Sequence, residues 1–106
     1  MRKRVVLVEE DAARLETLGR RLRAARLRRN LSQAEVAARA GVTRKTFAAL
    51  EAGDSGVSVG CLMKVLAILG FAERLETLAD ADPAGIDLEA AIGRRRAGTR
   101  TDVEDF

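Results

Sequence analysis

The sequence predicts an all-α protein with one compact domain of five helices. Apolar residues recur at helical spacing, three or four positions apart, through most of residues 14–79. Ala and Leu supply most of the apolar side chains, and the only aromatic residues are three Phe. Ser or Thr precedes three of the segments and Gly follows three, as expected for helix N-caps and left-handed helix ends. This pattern favours short helices in close contact.

The first 13 residues are predicted to form an N-terminal arm. Val5-Val6-Leu7-Val8 follow the charged run Arg2-Lys3-Arg4, and four consecutive apolar, mostly β-branched residues favour a short strand. A lone strand is not stable, so this one needs a partner, most simply the same strand of a second subunit. The alternative is a frayed or helical leader.

The first helix is expected to run from near Ala12 to Arg29. Its buried stripe recurs at helical spacing and comprises Leu15, Leu18, Leu22 and Ala25. The other faces of this helix carry a run of arginines, which is normally a solvated surface.

Residues 32–53 predict two short helices joined by a tight turn. Ser32 and Glu35 have the spacing of a capping box, and Gly41 can supply the left-handed residue that ends the first of these helices. Thr43 can cap the second helix, while Phe47 and Leu50 point inward. A second short helix that opens with a polar run (Thr43, Arg44, Lys45 and Thr46) is typical of helix-turn-helix proteins, whose second helix enters the DNA major groove. The alternative is two unrelated amphipathic helices in an all-helical core.

Residues 54–57 predict a turn-rich loop, which is not a P-loop because no Gly-Lys-Ser/Thr follows. Ser58 can cap a fourth helix that ends at Gly70, and residues 71–79 predict a short fifth helix. The composition changes at Asp80, so residues 80–106 are expected to be a tail that is flexible when alone. A dimer arm and a peptide that orders on a partner protein are the alternatives.

Charge is distributed unevenly along the chain. Residues 20–64 contain ten basic and three acidic side chains, whereas residues 65–106 contain five basic and nine acidic ones. A basic half attracts phosphate, and an acidic half must face elsewhere.

The composition argues against an enzyme and a secreted protein. There is no His and only one Cys, so no nucleophile-base pair, metal site or cofactor site is predicted and an intrachain disulfide is excluded. Cys61 lies among apolar residues and is expected to be a buried small hydrophobe, with redox sensing as the alternative. No signal peptide or membrane span is visible, so a cytoplasmic protein is expected.

The segment from Leu18 to Phe71 resembles the phage-repressor-like family of helix-turn-helix regulators, also called Cro/cI-like or XRE regulators. The matching residues are Gln33, Ala37, Gly41, Val42, Leu50, Glu51 and Gly53. The resemblance implies a lambda-repressor-like domain that binds double-stranded DNA, commonly as a two-fold dimer. Its second and third helices would form the DNA-reading unit.

The start of the second short helix is predicted to read DNA bases. Arg44 and Lys45 can donate to guanine O6 and N7, and Thr43 can contact a base edge or a thymine methyl group. Ala48 and Ala49, one turn later, offer only apolar contact. Phosphate contacts are predicted for three side chains on the residues' own chemistry: Thr46, Arg28 and Arg29. For each of these residues the alternative is simple solvent exposure.

Further roles are implied only by the family resemblance. Gln33 stands where family members touch the DNA backbone and brace the base-reading residues, and Ser55 lies in the loop that often faces a phosphate. Arg26 and Glu51 stand where an arginine and a glutamate form a structural ion pair.

The chain also looks similar to HipB-like antitoxins, through Val57-Ser58-Val59-Gly60, the Val65–Gly70 run and Asp82-Pro83. That resemblance implies repression of its own operon and binding to a HipA-like kinase toxin. The alternatives are a stand-alone repressor and a protein-binding module that keeps the fold.

Overall fold

A computed structural model describes residues 5–98. Helices are the only regular elements in that range, which confirms the predicted all-α class. They are α1 (Glu9–Arg28), α2 (Gln33–Ala40), α3 (Arg44–Glu51), α4 (Val59–Leu69), α5 (Ala72–Glu76) and α6 (Pro83–Gly98). The chain divides into two compact units, of which the first ends at Leu75 and the second begins at Glu76.

Helix α1 begins earlier than the sequence pattern predicts. Its first turn contains Glu9, Glu10 and Asp11, whose negative charges stabilise the positive end of the helix dipole. The arm of residues 1–13 is therefore shorter than expected, since residues 9–13 are helical. Residues 5–8 form no regular structure within the chain, and residues 1–4 lie outside the described range.

The helices on either side of the predicted turn are capped as expected. The Ser32 hydroxyl accepts from the Glu35 amide at 3.0 Å, and the Glu35 carboxylate accepts from the Ser32 amide at 2.7 Å. Gly41 then ends α2 with φ at 72°, a left-handed conformation that other residues adopt only with strain. The Thr43 hydroxyl caps α3 by accepting from the Thr46 amide at 3.0 Å.

The core of the first unit is formed by α1 to α4, with α2 packed on α3 and α4, and α1 packed on α3. The buried apolar side chains are Leu22, Ala25, Val36, Ala37, Ala40, Phe47, Leu50, Cys61, Val65, Leu66 and Leu69. Cys61 is buried as predicted. Leu15 and Leu18, by contrast, are only half-buried.

Backbone contact joins α1 to the end of α3. A Cβ added at Gly19 would lie 2.2 Å from the Glu51 carbonyl oxygen, and one added at Gly53 would lie 2.8 Å from the Glu16 backbone. These distances are too short for any side chain. The two glycines therefore allow α1 to fix the position of α3.

The tail that is expected to be flexible when alone contains a sixth helix. In the second unit, α6 opens with Pro83 at its first position, and the Asp82 carboxylate accepts from the Gly85 amide at 3.0 Å. Asp followed by Pro is a helix start because the Asp side chain caps free amides and Pro has no amide to satisfy. The sequence argument assigns no helix to residues 83–98, because Pro83 also fits a break in the helical pattern.

The fifth helix is also shorter than predicted, since it ends at Glu76 rather than near Ala79. Within residues 5–98, no helix has the length and apolar character needed to span a bilayer.

Candidate nucleic-acid interface

Helix α3 presents its first turn to solvent. Arg44 and Lys45 are exposed there, whereas Phe47, Leu50 and Glu51 are buried on the opposite face. Lys45 and Ala49 are one helical turn apart on the outer face, and the small side chain of Ala49 leaves room for a close approach. The positively charged side chains of Arg44 and Lys45 thus lie close to the small side chain of Ala49 on the exposed side of this helix.

The two threonines of this turn have different hydrogen-bonding capacity. The Thr43 hydroxyl accepts from the Thr46 amide and donates to the Thr46 hydroxyl, at 3.0 Å in each case. Its only proton is therefore used within the cap, so Thr43 can reach a base chiefly through its methyl group. Thr46 keeps its own hydroxyl proton, which is the group that a phosphate oxygen accepts.

A buried ion pair holds α3 against α1. Arg26 donates from Nε to Glu51 Oε2 at 2.7 Å and from Nη2 to Glu51 Oε1 at 3.1 Å, so the pair is bidentate. Arg26 is 6 % exposed and Glu51 is 8 % exposed. The hydrogen bond to Glu51 raises the pKa of the Arg26 guanidinium above its usual value, and the Glu51 charge adds to this against the opposing effect of burial. The pair that the family resemblance implies is present.

Two further hydrogen bonds extend this pair to α2. Arg26 Nη1 donates to the Leu31 carbonyl at 2.9 Å, and Gln33 Nε2 donates to Glu51 Oε1 at 2.9 Å. Among the described residues, no buried side-chain nitrogen or oxygen lacks a partner. Gln33 is half-buried, and one of its two amide protons is committed to Glu51. Its remaining amide proton and its backbone amide are the groups left to face a phosphate.

Arg28 and Arg29 were predicted together but lie in different surroundings. Arg29 donates from Nη1 to the Ala25 carbonyl at 2.8 Å, and its guanidinium stacks 5.2 Å from the centre of the Phe71 ring. Arg29 therefore satisfies a backbone carbonyl near the C-terminal end of α1 and covers the ring of Phe71. Arg28 is exposed in the last turn of α1. Arg28 is the better phosphate candidate of the two.

Ser55 is directed at the arm. Its hydroxyl donates to the Val5 carbonyl at 2.5 Å, so its proton is already used. The neighbouring Asp54 carboxylate accepts from the Gly56 amide at 2.6 Å, and the Asp54 amide donates to the Ala49 carbonyl at 3.0 Å. This loop offers fewer free donors to a phosphate than the family resemblance implies, and Asp54 adds a negative charge.

Lys64 is a basic residue that the sequence argument counted but did not place. Its ammonium lies 3.6 Å from the position that a Cβ would take at Gly41. It is therefore beside the turn that leads into α3. The sequence feature that could have identified Lys64 as a candidate is its charge, because it is the only charged residue of α4.

The comparison with protein families agrees with this geometry. A family model described as a helix-turn-helix domain matches residues 17–80, which is more than half of the chain. No curated protein matches the sequence significantly. The matched range begins within α1 and contains α2 to α5, including the caps, the Gly41 turn and the buried ion pair. The chain therefore belongs to the helix-turn-helix domain family.

Proposed function

We propose that this protein is a dimeric transcription regulator, of the Cro/cI-like XRE type, that binds specific double-stranded DNA and acts as a repressor. The observation that carries the proposal is the exposed first turn of α3, with Arg44 and Lys45 on a helix that the buried Arg26–Glu51 pair holds in place. Arginine and lysine are suited to the acceptors of guanine in the major groove. A helix fixed on its inner face keeps these side chains in a constant orientation.

The charge of the matched region supports this proposal. Residues 20–64 carry a net charge of +7, and Arg28, Arg39 and Lys64 are exposed there in addition to the two residues on α3. Such a surface attracts the phosphate backbone without regard to sequence, so base contacts from α3 have to supply the specificity.

The direct test is fluorescence anisotropy with labelled DNA from upstream of the protein's own gene, against scrambled DNA, at two salt concentrations. We expect a preference of ~10³-fold or more for the native site. Equal and strongly salt-dependent binding to both DNAs would indicate only a basic surface, and absence of binding at low salt would contradict the proposal.

A matched pair of variants locates the reading surface. Arg44→Ala with Lys45→Ala should abolish the preference while the circular dichroism spectrum stays unchanged. Arg94→Ala with Arg95→Ala removes the same charge from α6 and should leave the preference intact. If both pairs lower binding equally, the effect is one of net charge and the assignment of α3 is wrong.

A second candidate, the antitoxin of a HipA-like kinase toxin, is favoured by the second unit. Leu78, Ile86 and Leu88 are exposed there, and residues 76–106 contain four basic and eight acidic side chains. These apolar side chains and negative charges suit a protein partner rather than DNA. If a kinase-like protein is encoded beside this one, the purified pair should form a complex that survives size-exclusion chromatography. The same surface would serve a protein-binding module that does not read DNA, which the anisotropy measurement distinguishes.

A further inference from the structure

Lys64 places a positive charge beside the turn that joins α2 to α3. Its ammonium lies 3.6 Å from the position that a Cβ would take at Gly41, and the side chain is exposed. The backbone of Lys64 is fixed, because Cys61 and Val65, on either side of it along α4, are buried and α4 packs on α2. The charge is therefore held at the turn by a packed helix rather than by a loop.

The charge of Lys64 has no counter-charge in the two segments that meet at the turn. Residues 36–50 contain three basic and no acidic side chains, and residues 55–72 contain Lys64 as their only charged residue. Within the part of the chain that the structure describes, the Lys64 ammonium has neither an ion pair nor a hydrogen bond. Arg39, near the same turn, differs because it lies four residues after Glu35 on α2, the spacing at which opposite charges on a helix interact. The Lys64 ammonium is thus the charge at this turn that remains available to a ligand.

The position of this charge relative to α3 indicates the ligand. Gly41 precedes Arg44, the first residue of α3, by three positions, so their Cα atoms are at most about 11 Å apart. The major groove is about 12 Å wide, and an α-helix with its side chains has nearly the same width. A helix that enters the groove by its first turn therefore fills it from rim to rim. Residues beside that turn come to lie at a rim, where the phosphates of the backbone are.

We infer that Lys64 binds a phosphate of the DNA backbone at the rim of the groove that α3 enters. This inference rests on the proposed function and deepens it, because it names a contact outside the helix-turn-helix and gives α4 a part in binding. A phosphate contact carries no sequence information, but it fixes the register and orientation of the protein on the duplex. Lys64 thus contributes affinity and register, whereas base recognition belongs to Arg44 and Lys45.

Lys64→Met tests the contact, because it removes the charge and keeps a long, unbranched side chain. Fluorescence anisotropy on the full chain, with DNA from upstream of the gene and with scrambled DNA, is measured over a series of salt concentrations. The slope of log affinity against log salt should be smaller in magnitude by about 0.9, the value of one phosphate, on both DNAs. The ratio of the two affinities should not change. Lys64→Arg should keep the wild-type slope, since arginine also binds phosphate.

Arg94→Met is the matched control, because it removes one charge from an exposed side chain of α6, outside the matched residues 17–80. It should leave the wild-type slope unchanged. An equal change of slope in both variants would show that only net charge matters. A wild-type slope in Lys64→Met would show that the ammonium contacts no phosphate. Either result overturns the inference.

A structural role for Lys64 gives a different result. Its ammonium lies beside Gly41, at the C-terminal end of α2, where a positive charge stabilises the helix dipole. If that is its only role, Lys64→Met should lower the midpoint of urea unfolding and keep the wild-type salt slope, which overturns the inference. A smaller slope supports the phosphate contact, whether or not the midpoint also changes.

The inference and the proposed function can fail separately. Phosphate contacts act on any sequence, so a smaller slope for Lys64→Met together with equal wild-type affinity for both DNAs supports the contact and contradicts sequence-specific regulation. A wild-type preference for the native site together with an unchanged slope does the reverse. Absence of wild-type binding to either DNA at low salt overturns both.

Discussion

Glu51 accepts hydrogen bonds from two other helices, through Arg26 of α1 and Gln33 of α2. Its own helix is the one that presents Arg44 and Lys45 to solvent. A single carboxylate therefore ties the orientation of α3 to both of its neighbours. Burial makes this arrangement sensitive, since a charge that loses its partner in the interior remains desolvated.

We expect Glu51→Leu to lower the free energy of unfolding by about 3–5 kcal/mol, because it leaves the Arg26 guanidinium buried without a counter-charge. Adding Arg26→Met should recover most of the loss, with a remainder of about 1 kcal/mol for the freed Leu31 carbonyl. Urea denaturation of the two single variants and the double variant measures the coupling. Additive effects of the two substitutions would show that the ion pair contributes little.

The different surroundings of Arg28 and Arg29 predict opposite phenotypes. Arg28→Ala should reduce the salt dependence of DNA binding by about one phosphate contact without loss of stability. Arg29→Ala should instead cost about 1 kcal/mol of stability, through the lost contact with the Phe71 ring and the Ala25 carbonyl. Anisotropy and urea denaturation on both variants check this. The reverse pattern would place Arg29 on the DNA.

At the scale of elements, backbone contact decides how α1 meets α3. Gly→Ala inside a helix is intrinsically favourable by about 1 kcal/mol. At Gly19 the added Cβ would lie 2.2 Å from the Glu51 carbonyl oxygen, which forces the helices apart. The cost of this steric overlap exceeds the gain in helix propensity, because backbone atoms cannot move aside as a flexible side chain does.

Gly19→Ala should therefore destabilise the protein by about 1–3 kcal/mol net. Gly93 in α6 has no atom within 4 Å of its added Cβ, so Gly93→Ala should be neutral or stabilising, by up to about 1 kcal/mol. Thermal unfolding of both variants tests the contrast. If Gly19→Ala is also stabilising, the close approach of α1 and α3 is wrong.

The capping box of α2 predicts a response to acid. The hydrogen bond from the Ser32 backbone lowers the pKa of Glu35 below its usual value of 4.5, and the Ser32 side chain acts in the same direction. A carboxyl whose pKa is lower in the folded state contributes stability above its unfolded pKa and loses it as the pH falls through the folded value.

The difference in stability between the wild type and Glu35→Gln should therefore be largest at neutral pH and should shrink below pH 4.5. Urea denaturation across this pH range measures it. Asp87→Asn is the matched control, because it removes a carboxylate from α6 and leaves the capping box of α2 intact. A difference that does not change with pH would exclude the Glu35 charge as the source of the effect.

At the scale of the whole molecule, the proposed function depends on two copies that act together. A single reading helix covers few base pairs, so a dimer reads two half-sites about one helical turn (~34 Å) apart.

Inserting about five base pairs between the half-sites turns one of them to the opposite face of the duplex. Affinity for the altered operator should fall to that of a single half-site. Anisotropy with the native and the extended operators makes the comparison. An unchanged affinity would mean that each copy binds DNA independently, which contradicts dimeric recognition.

Much of the helix-turn-helix is predictable from the sequence because its signals are local. Caps at Ser32 and Thr43 and the left-handed Gly41 depend on residues within a few positions of each other, and all three occur in the structure. The start of α6 is also encoded locally, in Asp82-Pro83, although the same dipeptide fits a break in the helical pattern. The dipole-stabilising acids at residues 9–11 were likewise available in the sequence.

What the sequence by itself determined is the all-helical class, the helix-turn-helix and the excess of basic residues in positions 20–64, since helical periodicity, caps and charge are properties of neighbouring residues. Tertiary structure alone decided which polar groups remain free. Arg29 is held by Phe71, Ser55 by Val5 and Gln33 by Glu51, across separations that no local pattern encodes. A side chain can serve DNA only with the donors that the fold has left unused.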